Sequence, residues 1–389
     1  MIENRDYDVA VCGGGFAGIS AALSAAREGA RVVLFEKQLM LGGLGTAGLV
    51  TIYLPLCDGF GHQVSFGIAE ELFRLSIKYG AERLYPANWL DGVGTRTEKD
   101  PRFEVQYNPQ VFAILTEKLL TEAGVDIMYD SYAVGAEVED EKIKCIYIEN
   151  KSGRSAYYAK SFVDCTGDCD IAHFSGAKTS VHQRGNSLAA WYYYTDSEGY
   201  HLKQLGAADA PNPDPNTKFK PLVDRRFSGL DGKEISEMTI TAHEKLLEDW
   251  LKRRKEKPET VISTIATMPQ LRMTRKIVGE YELKDSDMHK EFSDSVGMVS
   301  NWRKRGPVYE IPFRALYSRD VKNLIVAGRC ISTDEEIWDI VRVIPCCAVE
   351  GEAAGIAAAM SDDFSALNVS CLQERLKRRS IPLHEKDVK

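Results

Sequence analysis

DVAVCGGGFAGISAALSAAREGARVVLFEK, Asp8 to Lys37, decides how this chain is read. Asp8-Val-Ala-Val-Cys12 contains a short apolar run, as a buried parallel strand requires. Glycines follow directly, and Gly13, Gly15 and Gly18 match G-x-G-x-x-G. Ile19 to Glu28 reads as a helix rich in Ala and Leu, stopped by Gly29. Arg31 to Phe35 is a second buried strand, with Glu36 at its end. The stretch is a β-α-β unit of about 30 residues.

Each glycine has a physical task in such a unit. The first allows the tight turn, the second the close approach of a pyrophosphate, and the third close helix packing. The helix N-terminus then offers free N–H groups and the positive end of its dipole to the anion. Glu36, 18 residues beyond Gly18, is placed to accept from ribose hydroxyls. That argues for a nucleotide with a free 2′-OH, FAD or NAD. No second G-x-G-x-x-G with its own strand and helix occurs in the sequence. The chain instead closes with a strand, Asn323–Ala327, a Gly-Arg turn, and a helix from near Pro345 to about Met360. Gly351, Ala353, Ala354 and Gly355 in that helix permit close packing against the first unit or a flat ligand. A helix start at Pro345 suits the negative charge that a reduced flavin carries.

Composition narrows the class. The 389 residues allow roughly two to three domains or one large discontinuous one. The net charge of −8 argues against nucleic acid as a partner. The basic clusters Lys252–Lys257 and Lys377–Arg379 read as solvated helix faces. No apolar run approaches the roughly 18 residues of a membrane span, and MIENRDYD has no signal-peptide core. The nine cysteines are odd in number and form no CxxC. Reduced thiols in the cytoplasm, and no bound metal, are the expectation.

Outward from the first unit, LGGLGTAG (Leu41–Gly48) is a second glycine cluster. Helices are expected over Gly67–Tyr79, Asn108–Ala123 and Ile235–Lys255, and a strand near Val125–Tyr129. Val134–Ile148 and Ala156–Asp164 read as antiparallel strands turning at Lys151–Gly153. Pro86–Pro101 and Pro211–Pro215 read as turn-rich or proline-rich connections. Ala189–Thr195 is aromatic and strand-like, and Ile262–Met268 is a β-branched run.

Several segments together resemble the FAD-dependent oxidoreductases of the glutathione-reductase-like flavoprotein superfamily, especially the branch with the flavin subunit of heterodisulfide reductase. They are Asp8–Lys37, GGLGTAG, FVDCTGDCDIAHFSGA, RMTRKIVGEYELKDSDM, and NLIVAGRCIS with VRVIPCCAVEGEAAGIAAA. The iron–sulfur cysteine sets of those relatives are absent from the sequence. The resemblance implies an α/β fold: a Rossmann-type FAD domain (1–58, 104–178, 318–365), an inserted α+β substrate domain (59–103, 179–317), and a C-terminal tail (366–389). It implies that Gly13, Gly15, Gly18 and Glu36 hold the ADP half of FAD. Lys37, Gly42 and Gly43 lie along the pyrophosphate and flavin, and the Val134 backbone approaches the adenine. Gly167 and Asp168 lie near the ribityl chain, and Gly328, Arg329, Arg342, Val343 and Ile344 line the flavin.

The expected activity is removal of hydride from a small polar organic substrate to flavin N5, as a dehydrogenase or oxidase. An NAD(P)H-dependent flavin monooxygenase and a flavin electron-transfer subunit are the alternatives. The expected partners are a small-molecule substrate and, for assembly, other copies of the chain, with neither nucleic acid nor membrane. Such chemistry needs a base and a charge holder. The candidates are His62, in the glycine-flanked loop GFGHQVSFG, with His182, Arg272 and Arg275; His289 and Arg314 come behind them. If their segment is helical, Arg272 and Arg275 share a face and could clamp a carboxylate or hydroxylated substrate. Each also has a plain structural reading, as a salt bridge or a packing histidine. The aromatic run Trp191–Tyr194 is either a pocket wall or an ordinary sheet face. Cys346 and Cys347 are adjacent, too close for an unstrained disulfide, and read as small packing residues.

Overall fold

Val9–Cys12 and Val32–Phe35 form neighbouring parallel strands with every side chain buried, and Phe16–Arg27 is the helix that joins them. Gly29, at a φ of 88°, ends the crossover where the sequence placed the stop. The computed structural model describes residues 2–4, 6–79, 99, 102, 104–206 and 221–388. Pro211–Pro215 and most of Pro86–Pro101 lie outside the described residues.

Three more strands complete this sheet. Its order is Leu324–Val326, Ser161–Asp164, Val9–Cys12, Val32–Phe35, Asp126–Met128, all parallel. The strand ends that carry Cys12, Phe35, Asp164 and Val326 therefore share one edge, and the loops after them meet there. Pro109–Glu122, capped by the Asn108 side chain on the N–H groups of Gln110 and Val111, packs beside the first helix.

The expected pair of strands over 134–164 is four strands in the structure. Tyr132–Glu139 and Lys142–Asn150 turn at Asp140 and Glu141, both with positive φ. That conformation belongs to the two-residue hairpin turns that match strand twist. Gly153–Tyr157 returns antiparallel, and Ile2–Asn4 pairs beside it. Ser161–Asp164 leaves this sheet for the parallel one, because all four of its side chains are buried.

Ile344–Met360 lies across the first helix. A Cβ added at Gly351 would stand 2.2 Å from the Ala17 carbonyl oxygen, and one at Gly355 would stand 2.1 Å from that of Ala21. The Ser24 hydroxyl donates to the Glu352 carbonyl at 3.0 Å. The small residues thus serve helix-to-helix contact. Residues 366–388, expected as a tail, are docked. Val369–Arg378 buries Leu372 and Leu376, and Arg379 pairs with Glu28 at 2.7 Å.

A second layer holds Tyr192–Asp196 between Gly199–Lys203 and Val261–Ile265, with Gly232–Glu256 packed on it through Leu246, while Met238 joins Leu188, Phe227 and Leu271. Tyr192 and Tyr194 face that helix, where the Tyr192 hydroxyl reaches Asp249 at 2.7 Å and Arg253 covers the Tyr194 ring. Tyr193 faces the other way, onto Thr51 and Leu49. Among the described residues no single helix is long and apolar enough to cross a membrane.

Candidate cofactor cleft

The loops at the shared sheet edge enclose a cleft of about 270 Å³. Gly13, Gly15, Glu36, Lys37, Gly42 and Gly43 line it, joined by Gly167, Gly328, Arg329, Arg342 and Ile344. Gly13 has a φ of 97° and lies under the Cys165 carbonyl, 2.3 Å from where its Cβ would be. A Cβ on Gly18 would stand 1.8 Å from the Gly13 carbonyl, so Gly18 supports the turn from beneath. Gly15 differs. Its φ of −71° suits any residue, and an added Cβ would meet nothing within 4 Å. The space that its missing side chain leaves is the cleft itself.

Two helices begin at this cleft, Phe16–Arg27 and Ile344–Met360. Neither has a side-chain N-cap or an acid in its first turn. Their free N–H groups and dipole ends together favour an anion. Glu36 ties the glycine loop to the sheet: its carboxylate accepts from the N–H groups of Gly14 and Gln38, each at 2.7 Å. A carboxylate has about four lone-pair sites, so two remain for ribose hydroxyls. Burial pushes the Glu36 carboxyl upward, and those two N–H donors and Lys37 pull it back. An open glycine, two uncapped helix starts and a buried acid with acceptor sites to spare fit a dinucleotide cofactor.

The profile of the family described as FAD dependent oxidoreductase matches residues 8–191 and 195–376. The chain belongs to that family. Similar solved structures include a geranylgeranyl bacteriochlorophyll reductase-like protein from Thermoplasma acidophilum, 16% identical at a TM-score of 0.50, with 97% of this chain and 84% of that one covered. The p-nitrophenol 4-monooxygenase of Pseudomonas putida DLL-E4 is 13% identical at a TM-score of 0.52, covering 98% and 85%. At such identities the likeness is one of fold. A thiamine thiazole synthase of Desulfosudis oleivorans is 51% identical over 99 residues, 25% of this chain. The chain covers 36% of that protein's length.

FAD is accordingly the cofactor of this chain, and the residues of this cleft fit it. When bound, it supplies a two-electron acceptor. Besides Gly18, three of the positions expected to hold it do not line the cleft. Val134 is exposed and stands just beyond the wall, which Ser131, Tyr132 and Ala133 form instead. The Ser131 N–H donates to the Glu36 carbonyl at 3.1 Å, fixing that wall beside the acid. Asp168 turns away, accepting from the Thr274 hydroxyl at 2.7 Å and from Arg329 at 3.1 Å, and Asp170 lines the cleft. Val343 is the N-cap of the last core helix, and its neighbours Arg342 and Ile344 face the cleft.

The four catalytic candidates do not line the cleft. The His62 ring pairs with Asp58 at 2.9 Å inside its own loop. His182 is buried, bonded to Glu335 at 2.7 Å and edge-on to Trp338. Arg272 and Arg275 do not share a helical face, because their segment is not helical: residues 271–274 are irregular and Arg275–Ile277 is a strand. The Asn186 side chain accepts from the N–H groups of Arg272 and Met273 at 2.7 and 3.0 Å, and Arg275–Ile277 then pairs with Thr179–Val181. Arg272 lies over the Trp191 ring, 5.4 Å from its centroid, and donates to Gln270 at 3.0 Å. Arg275 reaches Asp170 at 3.3 Å, and so touches the cleft wall at one remove.

Asp170 is pushed up to about 7, by burial first and then by the Asp168 and Asp164 carboxylates, against Lys37 and Arg275. The sign follows directly. Below about 7 Asp170 is mostly neutral; above it a carboxylate lines the cleft that would hold the cofactor's phosphates. FAD affinity should therefore fall as pH rises through 7, and Asp170→Asn should flatten that dependence in an FAD titration across pH. In the FAD-free protein the raised folded value, against an ordinary one near 3.8, makes stability fall as pH rises toward 7.

Glu350 was not anticipated. It is fully buried and its carboxylate accepts the Gly328 N–H at 2.8 Å, holding the turn that bears Arg329. Burial pushes its carboxyl far upward. Burial, then Glu350, also pushes the Cys346 and Cys347 thiols up. Their thiols donate to the Ile340 and Arg342 carbonyls at 3.4 and 3.1 Å. Packing, not thiolate chemistry, is what these contacts support. Cys346→Ala/Cys347→Ala should keep bound FAD, read from the flavin absorbance of the purified protein.

Proposed function

We propose that the chain is a dehydrogenase or oxidase that removes a hydride from a small polar organic substrate onto its FAD. The observation that supports this reading is the wall formed by Met268. Met268 lines the cofactor cleft and also a smaller hollow beside it, which Trp191 and Gln270 line in turn. Arg272 is bonded to Gln270 and stacked on Trp191. A guanidinium fork on an aromatic face, next to the cofactor's compartment, suits a substrate carboxylate or hydroxyl. Arg272 would orient the substrate, and the Trp191 ring would exclude water from the same spot.

The test is steady-state turnover of hydroxy and amino carboxylates with a dye as electron acceptor. Arg272→Leu should raise KM about 10-fold or more, the loss of one charge-assisted hydrogen bond, with FAD content unchanged. An unchanged KM would remove Arg272 from the substrate site.

A further inference from the structure

We infer that the outer face of the helix Gly232–Glu256 pairs with the same helix of a second copy of this chain, the two running antiparallel. Such a pairing is independent of the chemistry in the cofactor cleft.

The helix has 25 residues and is about 37 Å long. Its inner face is already engaged. Leu246 is buried against the tyrosine strand, and Met238 against Leu188, Phe227 and Leu271. The face turned away from a core is normally polar. Here Ile240, Leu247 and Leu251 are 60%, 49% and 47% exposed. A single exposed apolar side chain needs no explanation, but a contiguous group marks a contact. At 3.6 residues per turn these three lie within about 40° of one another, on one stripe. Glu244 falls between Ile240 and Leu247, so the steps along the stripe are four, three and four residues. That is the spacing of a seam between two helices.

Apolar exposure alone does not name the occupant; the charges do. Glu237 stands three residues before Ile240, Arg254 stands three after Leu251, and Lys255 follows; all three are exposed. The face therefore reads acid, apolar, apolar, base, and its two halves are complementary to each other. A parallel copy would set acid on acid and base on base, which is repulsive. An antiparallel copy sets Ile240 on Leu251 and Glu237 on Arg254. The two-fold axis makes each contact twice, as in any isologous interface. Leu247 and Glu244 lie beside that axis. Glu237 is paired within its own chain with Arg225, and a carboxylate has acceptor sites for a second guanidinium.

The test is sedimentation velocity on the full FAD-loaded chain. A dimer is expected, and Leu247→Glu should raise its dissociation constant about 100-fold or more. Glutamate suits an exposed helix position about as well as leucine, so FAD content should be unchanged. Arg254→Glu should weaken the dimer, and Glu237→Arg added to it should restore association. Cross-linking reads the direction. In a Cys371→Ser background, which removes the exposed native thiol, Ile240→Cys with Leu251→Cys should join two chains on oxidation. Either one alone should not. Within one chain the two positions are about 16 Å apart, beyond the reach of a disulfide. A monomeric protein, or a dimer that withstands Leu247→Glu, would overturn the pairing. So would a failed charge rescue, a double cysteine variant that forms no link, or Ile240→Cys linking to itself.

Discussion

Gly15→Ala should fold as well as the parent protein and bind FAD roughly 5- to 150-fold more weakly. The backbone at Gly15 has φ −71° and ψ −177°, open to any residue, and nothing lies within 4 Å of the new methyl. Replacing glycine where alanine fits without strain stabilises by about 0.4–1 kcal/mol through the unfolded chain. The methyl therefore costs the apoprotein nothing. It projects into the cleft, where the pyrophosphate must approach the helix start. Forcing a methyl against a close-packed partner costs about 1–3 kcal/mol, which is the stated range in Kd. Thermal unfolding of the apoprotein and an FAD titration, run side by side, read both halves.

Gly351→Ala adds the same single methyl and should have the opposite result. Its Cβ would stand 2.2 Å from the Ala17 carbonyl oxygen, with the Ala17 carbonyl carbon and Cα at 2.9 and 3.0 Å. All three are backbone atoms, so no side chain can swing aside. Ile344–Met360 would have to move off Phe16–Arg27, and both helices begin at the cleft. Alanine favours a helix over glycine by about 1 kcal/mol, yet overpacking of this severity should outweigh it, with a net loss of about 1–3 kcal/mol. The denaturant midpoint should fall and FAD should dissociate. Gly232→Ala, at a helix start with nothing within 4 Å of the added Cβ, is the control and should be neutral or slightly stabilising.

These two glycines show how far the sequence could be read. Gly13, Gly15 and Gly18 are meaningful by spacing alone, because turn, ligand approach and helix packing are local demands within one β-α-β unit. The same locality made the helices at 109–122 and 344–360 legible. Gly351 and Gly355 were legible as small residues, but which surface they met depended on the fold. The hairpin at Asp140–Glu141 was missed because no glycine or asparagine marks it; two acids take the positive φ there.

The cleft wall was harder for a different reason. Ser131, Asp170 and Met268 come from three loops and meet only through tertiary structure. Asp170 stands two residues from Asp168, and nothing local says which of the two lines the cleft. The bonds of Asp168 to Arg329 and Thr274, across 161 and 106 residues, decide it. The arginine pair failed for a like reason. A spacing of three implies a shared face only in a helix, and the Asn186 side chain, 86 residues away, takes the N–H groups of Arg272 and Met273 out of any helical bonding. His62 and His182 were chosen by residue type and loop context, and each is engaged by a carboxylate, Asp58 and Glu335.

The most direct measurement is the visible spectrum of the FAD-loaded protein under anaerobic conditions, before and after mixing with a small hydroxy or amino carboxylate. The oxidised-flavin band should bleach with such a donor and no pyridine nucleotide present. Bleaching by NADH or NADPH, with none from any organic donor, would contradict the account.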